Sequence, residues 1–161
     1  MSPLPFRIMV DTNVWVDSFC MDHAGSLAAR AFIDRAAEAG ALLMFPAHIA
    51  KDVLYIAQHE LKRSALAERR PMDAATSRAI EETSLAFVKN MMENATPVGA
   101  DASDLWLAEK YLTLHRDYED NLVLAACRRG EADYLVTSDK KLLEHADIAA
   151  KTPQQMMSIW A

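Results

Sequence analysis

Phe6-Arg-Ile-Met-Val10-Asp11-Thr-Asn13 is the stretch on which the reading of the fold turns. The run from Phe6 to Val10 is strand length, and its mostly continuous apolar character lacks the alternation of a strand with one wet face. Such a strand is buried on both sides, which places it in a parallel sheet covered by helices. Asp11 then ends it. A carboxylate at the end of a buried strand is expensive without a partner or a cation, so the same stretch marks a candidate site.

Downstream, Gly25 to Ala39 reads as a helix closed by Gly40, and Ala41-Leu-Leu-Met-Phe45 as a second buried strand stopped by Pro46. Ile49, Val53, Ile56, Ala57 and Leu61 have helical spacing. Arg70-Pro71 breaks that helix, and Asp73 caps a long one carrying Ile80, Phe87, Val88 and Met91. Thr96 to Gly99 is a loop or a very short strand. Asp101 to His115 is helical, and so is Asp120 to Gly130. Asp133-Tyr-Leu-Val-Thr137 is the clearest late strand. Lys140 to His145 forms a small helix, Ile148 begins an edge strand, and Thr152-Pro153 opens a last helical turn. This order predicts an α/β/α sandwich around a mainly parallel sheet, with a helical block between the second and later strands. No repeat, low-complexity tract or linker interrupts residues 1–161, so a single domain is expected.

The net charge of −6 argues against a protein that coats nucleic acid through overall positive charge. It leaves room for an enzyme whose carboxylates count as negative until a divalent cation binds. No apolar stretch approaches the roughly 20 residues of a membrane span. Met1 to Arg7 lacks the pattern of a signal peptide, and Cys20 and Cys127 suggest neither a disulfide framework nor a zinc site. A reducing cytoplasm is the expectation.

In open parallel sheets ligands bind at the carboxyl ends of the strands. Asp11 ends the first strand, and Asp139 follows the late one. Asp52 falls in the first turn of the helix after the second strand, and Asp120 heads the helix that leads into the late strand. Each aspartate also has a plain explanation near a helix N-terminus, where carboxylates accept backbone hydrogen bonds. Asp117 to Asp120 has the form of a capping pair, and Asp101 to Asp104 has the same form with no chemistry attached. Convergence of all four acids is the stronger reading. Clustered carboxylates cannot all stay ionised without cations, and Mg²⁺ or Mn²⁺ suits such hard oxygen ligands. A site of this kind activates water and holds a scissile phosphate.

These residues are similar to a known family. Ile8-Met-Val-Asp11-Thr-Asn13-Val-Trp resembles the opening of PIN domains. Asp117-Tyr-Glu-Asp120-Asn-Leu-Val-Leu-Ala-Ala-Cys127, followed by Ala132-Asp-Tyr-Leu-Val-Thr-Ser-Asp139-Lys-Lys-Leu-Leu143, resembles the family's closing motif. With the order of elements, the resemblance spans roughly residues 6 to 150. It implies a PIN-type fold, metal-dependent cleavage of RNA, and a site formed by Asp11, Asp52, Asp120 and Asp139. Many small proteins of this type, the VapC-like group among them, are toxins that dimerise and are held inactive by a cognate antitoxin. The second acid of the family is commonly glutamate; here it is Asp52, with Glu60 as the alternative. Ser138 stands where glycine is frequent, and Asp17 and Asp117 are further acids close to matched positions.

Asn13 and Thr137 are candidates for hydrogen-bonding the site carboxylates or for satisfying local turns. Lys51, Arg116, Arg128, Arg129, Lys140 and Lys141 are options for meeting RNA phosphates, or plain solvated charges. Two other readings stay open. One is a PIN-fold RNA- or protein-binding module with weak chemistry, for which Asp52 in place of glutamate is the best support. The other is a phosphatase-like hydrolase with Asp11 as nucleophile, which lacks the acid expected two residues on because position 13 is Asn.

Overall fold

The structure, a computed structural model, describes residues 5–160. The reading of the chain start rests in part on Met1 to Leu4, which lie outside the described residues. The run identified first forms β1 (Arg7–Val10), and Asp11 caps α1 (Thr12–Phe19) directly behind it. The chain continues through α2 (Ser26–Glu38), β2 (Leu42–Pro46), α3 (Ile49–Ala67), α4 (Ala74–Asn94) and β3 (Thr96–Val98). It then passes through α5 (Ala102–Tyr111), α6 (Tyr118–Arg129), β4 (Tyr134–Val136), α7 (Lys140–His145), β5 (Ala150–Lys151) and α8 (Pro153–Met157).

The five strands form one sheet in the order β3-β2-β1-β4-β5, and every pairing is parallel. Alternate residues of the central strands serve opposite faces, as the pleat dictates. Ile8, Val10, Leu43, Phe45 and Val136 join one core with Val14, Trp15, Phe32, Val53, Met91 and Met156. Met9, Met44 and Leu135 join a second core with Tyr111, Val123, Leu124 and Leu142. Burying a side chain such as Phe32 or Phe45 contributes roughly 1.5–3 kcal/mol, so these two apolar layers hold the sheet between its helices.

Local signals account for most boundaries. Gly40, at φ +68°, ends α2. Its N–H reaches the Ala37 carbonyl at 3.1 Å, and that of Ala41 reaches Ala36 at 2.9 Å, a paired closure that needs the left-handed residue. The Asp73 side chain accepts from the Thr76 N–H, and Asp101 and Asp104 form a reciprocal capping box.

Some details differ from the sequence reading, and one open alternative resolves as a strand. Helix α1 falls outside the sequence reading, because eight residues span barely two turns and the consecutive apolar Val14, Trp15 and Val16, two of them β-branched, mask the helical spacing to Phe19. All three are buried. The segment read as loop or very short strand is β3, an edge strand paired on one side with β2; Pro97 has no N–H to donate and is tolerated there. The last strand begins at Ala150 rather than Ile148.

From β1 the chain steps outward through β2 to β3, then returns to place β4 and β5 on the other side of β1. The crevice between β1 and β4 is therefore the point where strand order reverses, the favoured ligand position in such sheets.

Candidate active site

Asp11 sits in that crevice. Its N–H donates to the Val136 carbonyl at 3.0 Å, fixing its backbone against the end of β4. One carboxylate oxygen, Oδ1, accepts from the Thr12 N–H at 2.7 Å. The other, Oδ2, accepts from Asn13 Nδ2 at 2.8 Å and from the Thr137 hydroxyl at 2.7 Å. Thr137 in turn accepts from Asn13 Nδ2 at 3.2 Å and from the Asp139 N–H at 3.0 Å, while Asn13 Oδ1 accepts from the Ser138 N–H at 2.9 Å. Asn13 and Thr137 thus both contact the first acid, and they stitch the end of β1 to the end of β4.

Asp11 is only 6 % exposed. Burial pushes its carboxyl above the ordinary value; the hydrogen bonds from Thr137, Thr12 and Asn13 oppose that rise, and the negative charge of Asp120 adds to it. Asp120 occupies the third position of α6, whose cap is Asp117. Burial raises its carboxyl as well, opposed by a hydrogen bond from His115, with Asp117 and Asp139 as repelling neighbours. Asp139 caps α7, its Oδ1 accepting from the N–H groups of Lys141 at 2.7 Å and Leu142 at 3.1 Å. Asp52 lies in the first turn of α3, with the Lys51 ammonium 3.4 Å from its Oδ1.

All four acids line one cleft of about 980 Å³, together with Asp17, Glu119, His23 and His48. The first turns of α1, α3 and α6 and the cap of α7 open onto it. Their dipoles supply partial positive charge that offsets some of the carboxylate repulsion. Glu60, the alternative second acid, lies elsewhere. It is ion-paired with Arg63 and with Nε2 of His23, 3.3 Å away, and it lines a separate pocket beside Cys20.

Among the described residues no three Asp, Glu, His or Cys side chains converge closely enough to form a ready-made cation cage. The donor set nonetheless fits a divalent cation of the magnesium type: hard oxygens, mutual repulsion between Asp11 and Asp120, and a cleft with room for water. Mg²⁺ ordinarily keeps several waters and takes one or two carboxylates directly.

His115 and His48 belong to this region and escaped the sequence reading. His115 is buried and its Nε2 lies 2.6 Å from Asp120 Oδ2. It precedes the α6 cap by two residues, so only the fold of the intervening loop shows the contact. His48 precedes α3 at the cleft wall, and burial holds its imidazole below the ordinary value. His23, another lining residue of the cleft, meets Asp17 through Nδ1 at 2.8 Å. Of the tryptophans, Trp160 stacks on Phe32, whereas Trp106 is exposed with Lys110 over its ring.

Residues 7–141 match the family model described as PIN domain. No curated protein gives a significant match. Among solved structures, a chain in the crystal structure of VapBC2 from Rickettsia felis, bound to a DNA fragment from their promoter, is similar in fold. The TM-score is 0.60 at 12 % identity, over 91 % of this chain and 98 % of that one.

Proposed function

The chain belongs to the PIN-domain family, and from that premise we propose that it is a Mg²⁺- or Mn²⁺-dependent endoribonuclease with Asp11, Asp52, Asp120 and Asp139 as its metal-binding and catalytic acids. The observation that carries this reading is the meeting of those four carboxylates in one cleft at the strand-order reversal. A bound divalent cation supplies Lewis-acid activation of water and charge neutralisation at the phosphate. The protein's own residues do the rest. Asn13 and Thr137 fix the Asp11 carboxylate, and four helix N-termini temper the negative field that an RNA backbone has to enter. Lys51 lines the cleft, and Lys140 and Lys141 follow Asp139; these cations meet the flanking phosphates. Hydrolysis leaves a 3′-hydroxyl and a 5′-phosphate.

In the cell the protein acts in the cytoplasm as the toxin of a toxin–antitoxin pair, as a homodimer held inactive by a cognate antitoxin protein. The likeness in fold to a chain of the VapBC2 complex supports the toxin–antitoxin part of this reading. No helix among the described residues is long and apolar enough to cross a membrane. Residues 1–161 act as one domain.

The test compares RNA cleavage by the purified protein with Mn²⁺, the same protein with EDTA, and Asp11→Asn with Mn²⁺. Cleavage by the first alone supports the assignment. Equal cleavage in all three points to a contaminating nuclease and removes it.

A further inference from the structure

We infer that His115 is a positioning residue for Asp120: its ring grips one carboxylate oxygen and leaves the other for the cation, an inference that rests on the nuclease reading above. An ionised carboxylate has only lone pairs to offer, so the 2.6 Å contact requires the proton on Nε2 of His115 and makes Asp120 Oδ2 the acceptor. Asp120 Oδ1 accepts no hydrogen bond among the described residues, and Asp120 lines the cleft.

The backbone that carries the ring is held on both sides. The His115 N–H donates to the Tyr111 carbonyl at 2.8 Å, and its own carbonyl accepts from Asn121 Nδ2 at 2.8 Å. Asn121 is fully buried and His115 is 9 % exposed. The loop after α5 is thereby clamped to the first turn of α6, with the imidazole fixed beside the residue next to its clamp. A carboxylate on a helix surface ordinarily samples several rotamers. Here one oxygen is immobilised by a ring whose backbone is itself immobilised. The result is the outer-sphere support that metal-binding side chains commonly have, and its loss typically weakens metal affinity 10–100-fold.

Mn²⁺ affinity, measured by calorimetry on the full chain, separates positioning from packing. His115→Leu keeps an apolar side chain in the buried site and removes the donor. His115→Gln restores an N–H near the Nε2 position. With all variants confirmed as folded by circular dichroism and thermal melting, His115→Leu is expected to bind Mn²⁺ on the order of tenfold more weakly. His115→Gln is expected to return most of that affinity. Unchanged affinity in His115→Leu overturns the positioning role while leaving the nuclease reading intact. Equal weakness in Leu and Gln variants of equal melting temperature also overturns it, because the ring then acts by packing. If the wild-type chain binds Mn²⁺ no better than Asp11→Asn, the nuclease reading itself fails and this inference falls with it.

Discussion

The hydroxyl of Thr137 donates to Oδ2 of Asp11 across 2.7 Å, joining the residue after β4 to the residue after β1. Thr137 is fully buried, and its oxygen also accepts from Asn13 and from the Asp139 backbone. One hydroxyl therefore sets the position of the buried acid, the turn into α7 and the orientation of Asn13.

Thr137→Val keeps the shape and removes the hydroxyl. Asp11 loses a charge-assisted bond, and the Asp139 N–H loses its acceptor. Hydrogen bonds to charged groups contribute about 1.5–3 kcal/mol, so urea denaturation is expected to show a loss of that order. Mn²⁺-dependent cleavage is expected to fall at least about tenfold, since 1.4 kcal/mol at the site is already a factor of ten. Thr137→Ser retains the donor and should stay close to wild type. A Val variant of wild-type stability and activity would show the hydroxyl to be incidental.

Asp52 and Glu60 are separated by two helical turns of α3, and only the former reaches the cleft. Asp52→Asn is expected to lower Mn²⁺-dependent cleavage at least about tenfold, the scale of a lost transition-state interaction of 1.4 kcal/mol. Glu60→Gln should leave cleavage within about twofold and act on stability instead, by loosening Arg63 and His23. Reversal of that pattern in a side-by-side RNA assay would transfer the second-acid role to Glu60.

Asp52 and Glu60 also show where the sequence stops being informative. β1 and β4 are legible because a strand buried on both faces is written as an unbroken apolar run; Asp11 and Asp120 rest on strand-end logic together with the motif, and Asp139 mainly on the motif. Asp52 was placed by its distance from β2, a weaker guide, and the sequence left Glu60 as its rival. The choice depends on how far along α3 the cleft extends: Asp52 lies in the first turn, whereas Glu60, two turns further along much the same face, pairs with Arg63 and His23. Helix α1 is hard to see because eight residues, three consecutive buried side chains among them, are too few for helical spacing to stand out. His115 was invisible for another reason: its partner lies beyond a helix cap, and the bend of the loop is settled by the buried Asn121.

Gly25 bears on a neighbouring part of the cleft. A Cβ added there would clash with Asp17 Oδ2, so Gly25→Ala must displace that carboxylate. Asp17 is held by His23, whose imidazole is raised above the ordinary value chiefly by this hydrogen bond. The raised value stabilises the fold below the unfolded histidine value, and that stability is lost as pH rises through the folded one. Gly25→Ala is therefore expected to shift the His23 titration downward in an NMR pH series. Its cost in stability should be about 1–3 kcal/mol, the range of an overpacked side chain. An unmoved His23 titration would mean that Asp17 yields without releasing the ring.

Asp11 gives a pH dependence in the same sense, from a carboxyl instead of an imidazole. Burial lifts its folded carboxyl above the unfolded value of 3.8, so between those two values the folded chain binds more protons than the unfolded one. Its contribution to stability is complete below the unfolded value and is lost as pH rises through the folded one. Asp120, raised by burial from the same starting value, acts in the same direction. Asp101, lowered to about 2, and Asp104, lowered by Arg129, act the other way, so the raw stability curve mixes both signs. The difference between wild type and Asp11→Asn isolates one group. In EDTA, denaturant titrations from pH 4 to 7 should show wild type losing stability relative to the variant as pH rises, whatever constant offset the amide introduces. Saturating Mn²⁺ should cancel that relative loss, because the cation binds the ionised carboxylate and stabilises the folded chain by mass action. A flat difference in EDTA would mean that Thr137, Thr12 and Asn13 fully offset the burial of Asp11. A slope that Mn²⁺ leaves unchanged would separate Asp11 from the cation.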